Sequence, residues 1–115
     1  MPANTATKRF SVRAGETLNA AVDIKGLLPI NSAGASTEKA TGTPVIIEIN
    51  TGVLGLSNKA VSIATLFIDG NDRVAGEAIQ FTVTGFVSGS YGIDITFVTT
   101  GTQTRECTVY FDVKN

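Results

Sequence analysis

The chain of 115 residues contains no histidine and no tryptophan, one cysteine and one methionine. Without histidine, the commonest general base, metal ligand and pH switch are gone. Ser-His-Asp and Cys-His catalysis are excluded, and one cysteine alone supplies no zinc ligand set. A lone cysteine also cannot close an internal disulfide, so a core and not covalent staples must hold the fold. Charge is scarce: 17% of residues are charged and the net charge is -1, which leaves no field to gather nucleic acid or an anionic membrane. Lys8, Arg9 and Arg13 cluster near the start, but Phe10 and Tyr110 alone make no base-stacking platform. The missing tryptophan weakens the aromatic platform used by many sugar-binding domains, and Tyr110 is the one exposed-face aromatic the pattern places. No apolar run approaches the roughly 18 residues of a spanning helix. Met1 to Arg9 lacks the apolar centre of a signal peptide. The expectation is cytoplasmic synthesis with no membrane partner.

What is present is alternation. Tyr91, Ile93, Ile95 and Phe97 share one face of a strand, and Cys107, Val109, Phe111 and Val113 share one face of the next. Period-2 patterning of this kind marks half-buried antiparallel strands. Thr99-Thr100-Gly101-Thr102 lies between them, so residues 85–113 read as one β-hairpin. Cys107 falls on the apolar face and is expected to be a small core residue. Arg105, two positions away, keeps a reactive thiol as the alternative.

Taken from the start, residues 1–7 are small and polar and predict a loose tail. A single domain is expected over 8–115. Lys8 to Arg13 predicts a short strand with Phe10 and Val12 on one face. Thr17 to Ile24 predicts a second with Leu18, Ala20, Val22 and Ile24 inward, and a possible hairpin with the first. The 26–43 stretch, apolar at Leu27, Leu28 and Ile30 and then Gly/Ser/Thr-rich, predicts a long loop: a contact loop or a solvated excursion. Pro44 to Asn50 predicts a strand with Val45, Ile47 and Ile49 inward and Ile46 and Glu48 outward. Thr51 to Asn58 is a turn-rich link with room for a short helix. Val61 to Asp69 is apolar on both faces and predicts a central or interface strand. Asp69-Gly70-Asn71-Asp72 predicts a tight turn, and Glu77 to Thr84 a strand with Ile79, Phe81 and Val83 inward.

About seven strands with turns between them and no long helix predict an all-β, antiparallel immunoglobulin-like β-sandwich, with an open barrel as the rival. Ser88-Gly89-Ser90-Tyr91 resembles the tyrosine corner of such sandwiches, with Ile93 where antibody domains place a cysteine. The alternative is a tyrosine whose hydroxyl sits in water.

No catalytic, cofactor or metal site is expected. The acidic residues are scattered over outward faces. The oxygen-rich Asp69-Gly70-Asn71-Asp72 lacks the full calcium-loop pattern. Gly85-Phe86-Val87-Ser88-Gly89-Ser90 leads into a strand and has no lysine for a phosphate. What remains is surface. Ile46, Leu66 and Ile68, apolar where the pattern expects water, together with Leu27, Leu28, Ile30 and Tyr110, are the candidate interface residues.

Gln80-Phe81-Thr82-Val83-Thr84-Gly85, Gly89-Ser90-Tyr91-Gly92-Ile93 and Thr99-Thr100-Gly101-Thr102-Gln103-Thr104-Arg105 carry a family resemblance. Val61 to Asp112, roughly the C-terminal half, is similar to the small β-sandwich virion proteins of tailed bacteriophages, of the fibre–tail adaptor type. The resemblance implies a non-enzymatic structural protein, made in the host cytoplasm and assembled into a virion. It would bind copies of itself, as a homo-oligomer, and a neighbouring capsid, tail or fibre protein. The 26–43 insertion departs from the compact pattern, so capsid decoration, a tail joint and a fibre base all stay open. The alternative function is a carbohydrate- or surface-binding sandwich module.

Overall fold

The computed structural model describes residues 9–49, 54–85 and 87–114. The tail expected over residues 1–7 lies outside them. Nine strands are described: β1 (Arg9–Arg13), β2 (Thr17–Asp23), β3 (Ala40–Glu48), β4 (Leu54–Val61), β5 (Leu66–Ile68), β6 (Asn71–Arg73), β7 (Ala78–Gly85), β8 (Gly89–Thr99) and β9 (Thr104–Lys114). A four-stranded sheet of order β1-β9-β8-β3 faces a three-stranded sheet of order β2-β7-β4, and β5 and β6 form a separate hairpin. This is the immunoglobulin-like sandwich, with its first strand placed in the larger sheet. That sheet is mixed and not purely antiparallel, because β1 runs parallel to β9.

The core is made by every second side chain of the long strands. Ile79, Phe81 and Val83 of β7 meet Ile93, Ile95 and Phe97 of β8 and Val109 and Phe111 of β9, all buried. Phe111 stacks on Phe10 at 4.8 Å and takes the edge of Phe81 at 6.0 Å. The Phe10 stack explains where β1 goes. Its apolar face finds the hairpin in register, Phe10 beside Phe111 and Val12 beside Val113. β2 pairs instead with β7. The hairpin expected between the first two strands therefore does not form, and the turn at Ala14–Glu16 carries the chain from one sheet to the other. Alternation tells which face of a strand is buried and says nothing about its neighbour.

Three local features depart from the sequence expectations. The 26–43 stretch is ordered on its own chain. A 3₁₀ turn (Lys25–Leu27) leads to buried Leu28, Ile30 bridges to Ser36, and residues from Ala40 onward already belong to β3. The turn-rich link of 51–58 is strand from Leu54 onward, with 51–53 outside the described residues. The single strand expected over 61–69 is broken. β4 ends at Val61, and Ser62 closes the break: its hydroxyl and its carbonyl both accept from the Gly76 N–H. The chain then enters the β5–β6 hairpin, whose Asp69-Gly70 turn has both residues at positive φ (50° and 84°), as a two-residue turn matched to strand twist requires. Arg73 pins the hairpin back to Asp23 of β2 at 2.7 Å.

Candidate interaction surface

The inner layer contains the expected tyrosine corner. Tyr91 is buried, and its hydroxyl donates to the Val87 carbonyl at 2.8 Å. Cys107 is buried on the core face, and burial first, then the charge of Asp94, pushes its thiol up to about 11. That is the environment of an inert core thiol.

One buried carboxylate ties the ordered loop to the sandwich. Glu77 accepts from the Ser36 hydroxyl at 2.6 Å and from the Val74 N–H at 2.9 Å. Burial alone would raise its pKa, but those hydrogen bonds and the charges of Lys25 and Lys39 together hold it below the ordinary value of 4.5. Lys39 in turn donates to the Ser36 carbonyl and hydroxyl. Ser36, Lys39 and Glu77 are bonded to one another in this cluster, so it reads as a clasp. Among the described residues, no group of three or more potential metal ligands is brought together, and no helix is long and apolar enough to cross a membrane.

The surface is where expectation and structure part most sharply. β3 has the opposite phase from the one its pattern suggests. Ile46 is 1% exposed and lies in the core, whereas Val45, Ile47 and Ile49 are 53%, 59% and 55% exposed. Two contacts set that phase. Ile46 pairs across to Ile95 in the middle of the core, and Glu48 turns inward so that its Oε1 accepts the Leu54 N–H at 2.7 Å. Val45 and Ile47 therefore face outward on an edge strand, and Ile49, just past its end, does the same.

The apolar surface continues across the sheet. Ile49 leans over Gly92, where an added Cβ would lie 2.8 Å from Ile49 Cδ1 and 3.5 Å from the ring of Tyr110. The glycine thus lets one apolar surface run from β3 across β8 to β9. Val98, half exposed, lies on the same outer face of β8. Contiguous exposed apolar patches of this kind mark contact surfaces more often than isolated exposed side chains do.

The sequence candidates fall differently. Ile46, Leu28 and Ile68 are buried in this chain and cannot serve as surface, which corrects their assignment. Leu27 is half-buried against the core and Leu66 is half-buried in β5. Ile30 is exposed, and Tyr110 is half-buried at the end of the Ile49 row. A second apolar group, Ile63, Phe67 and Val74, is exposed on and beside the β5–β6 hairpin. The pattern of a single strand over 61–69 does not mark this group, because the chain breaks at Ser62 and Phe67 and Val74 stand on and beside a separate hairpin. The outward side of the three-stranded sheet is different in kind. Asn19, Asn58, Gln80 and Thr82 line a shallow concavity of about 400 Å³, with Asn58 donating to Thr82 and Thr82 to Asn19.

No family model matches the chain, and no curated protein matches it. Among solved structures it is similar to the PKD domain from the KIAA 1837 protein (15% identity, TM-score 0.49, covering 97% of this chain and 82% of that one). It is also similar to amebosin (14% identity, TM-score 0.47, covering 92% and 88%). A third is PbICP-C, solved in complex with falcipain-2 (11% identity, TM-score 0.40, covering 97% and 92%). Likenesses this distant carry nothing about binding; the strand order above is what makes the chain an immunoglobulin-like sandwich.

Proposed function

We propose that this chain is a non-catalytic assembly module that works by contact with other proteins, and that its setting is the particle of a tailed bacteriophage. The observation that carries the contact role is the outward row Val45, Ile47 and Ile49 on and just past an edge strand, prolonged over Gly92 to Tyr110. Apolar side chains held outward by a fixed strand phase lose free energy only when another surface covers them. The virion setting is supported by the resemblance of the stretches at 80–85, 89–93 and 99–105. In this reading the chain is made in the host cytoplasm, uses no cofactor, and is taken up during assembly.

The test is to express a tagged chain together with the genome that encodes it and to band assembled particles on a density gradient. The chain should travel with the particles, and Ile47→Lys should be lost from them. A chain that stays in the soluble fraction while complete particles form would end this reading.

The amide-lined concavity on the opposite sheet favours a second reading, a carbohydrate-binding module. Among the described residues the one aromatic in its lining, Phe81, is buried in the core, and Tyr110 belongs to the other layer. Glycan-array binding that disappears in Asn58→Ala would favour it.

A further inference from the structure

We infer that the partner of β3 is a second copy of β3, joined edge to edge in antiparallel fashion about a two-fold axis through Ile47, so that two four-stranded sheets become one. This rests on the contact reading above and names its occupant.

The backbone phase comes first. Ile49 donates its N–H to Gly92 of β8 at 2.8 Å. Along an antiparallel strand, hydrogen-bonding groups alternate sides. With Val45, Ile47 and Ile49 turned toward β8, the N–H and C=O groups of Ile46 and Glu48 point to the other edge. Among the described residues no strand hydrogen-bonds to that edge, although β4 of the facing sheet packs beside β3. Edge strands are usually blunted by outward charge, and here the only charged residue of β3, Glu48, turns its side chain inward.

The residues at either end then select one register. Pairing Ile46 with the partner's Ile46 would set Glu48 against the partner's Pro44, which has no N–H to give. Pairing Glu48 with the partner's Glu48 would oppose like charges. Pairing Ile46 with the partner's Glu48 avoids both and lets each such pair exchange both N–H···O bonds. That register places Ile47 against the partner's Ile47 and Val45 against the partner's Ile49, all on the outer face. The Ile47 pair is a non-hydrogen-bonded one, the kind whose side chains approach most closely. In that register neither Glu48 faces Pro44 or a second Glu48, and the Ile46–Glu48 pairs can exchange backbone hydrogen bonds. On the outer face of β8, Asp94 lies beside Ile47 and is engaged by the Thr108 hydroxyl at 2.8 Å, and a net charge of -1 gives two copies little to repel. The register shift between Thr41 and Val45 limits the paired length. The buried area therefore falls at or below the low end of specific interfaces, about 1,200 Å² in total, and the dimer is weak and concentration-dependent.

Sedimentation velocity of the full chain from micromolar to millimolar concentration tests this. Dimer should grow with concentration, and the dissociation constant should rise by about tenfold or more in Ile47→Lys. Ile47→Thr, which keeps the β-branch, should shift it in the same direction with the fold intact. In a Cys107→Ala background, Ile47→Cys should oxidise to an interchain disulfide faster than Val45→Cys, since only position 47 meets itself. A wild-type chain that stays monomeric at millimolar concentration, or equal oxidation at 45 and 47, overturns the pairing. The contact reading stands or falls separately: a monomer that still enters particles and loses them with Ile47→Lys has a different protein on β3.

Discussion

The β8–β9 hairpin and β3 are neighbours in one sheet, and they teach opposite lessons about alternation. In the hairpin, one phase is apolar and the other is mostly polar. Tyr91, Ile93, Ile95 and Phe97 face Cys107, Val109, Phe111 and Val113 on the core side, as the pattern requires. In β3 both phases carry large apolar residues, Ile46 with Glu48 on one and Val45, Ile47 and the following Ile49 on the other, and the phase with more β-branched residues is the one left outside. A hydrophobic count decides a strand's orientation only when the alternative phase is costly. Where both phases are apolar, local polar obligations decide, and for β3 the obligation is the Leu54 N–H that the Glu48 carboxylate satisfies.

Substitutions can break that comparison in order of size. Phe111→Ala, in the aromatic stack at the centre of the hairpin face, should cost about 3–5 kcal/mol in denaturant unfolding. Glu48→Ala strips the Leu54 N–H of its acceptor but also removes Oε2, which is buried without a partner, so the net cost should be about 1–2 kcal/mol. If Ile46 stays buried in that variant, the carboxylate does not set the phase of β3. Tyr91→Phe removes one hydrogen bond, Tyr91 to Val87, and should cost about 1 kcal/mol with the fold unchanged. Ile47→Lys should change monomer stability by no more than about 0.5 kcal/mol, as an outward position allows. A loss several times larger would mean that Ile47 packs inside.

The fold was legible wherever the sequence offered a polar phase or a tight turn. The hairpin, the Ile79-Phe81-Val83 strand, the Asp69-Gly70 turn and the tyrosine corner follow from local rules. Strand partnership was not legible, because the choice of β9 over β2 as the neighbour of β1 depends on Phe10 stacking on Phe111 across the whole length of the chain. The candidate surface was half legible. An excess of apolar residues around Pro44 to Asn50 was visible, but assigning it to Ile46 put the anomaly on the wrong phase. The signal that would have corrected it was Glu48 itself, a lone carboxylate six residues before the N–H that it accepts. Residues Leu28 and Ile68 were misplaced for a related reason. The loop and the broken strand that carry them fold back on the sandwich, which no local periodicity records.

The most direct test of the account is a cysteine scan of β3 in a Cys107→Ala background, read as labelling rate by a small thiol reagent at concentrations where the chain is monomeric. Fast labelling is expected at positions 45, 47 and 49, and labelling at position 46 only as fast as global opening allows. Fast labelling at 46 with protection at 45, 47 and 49 would contradict the account and would remove the apolar surface on which the proposed function stands.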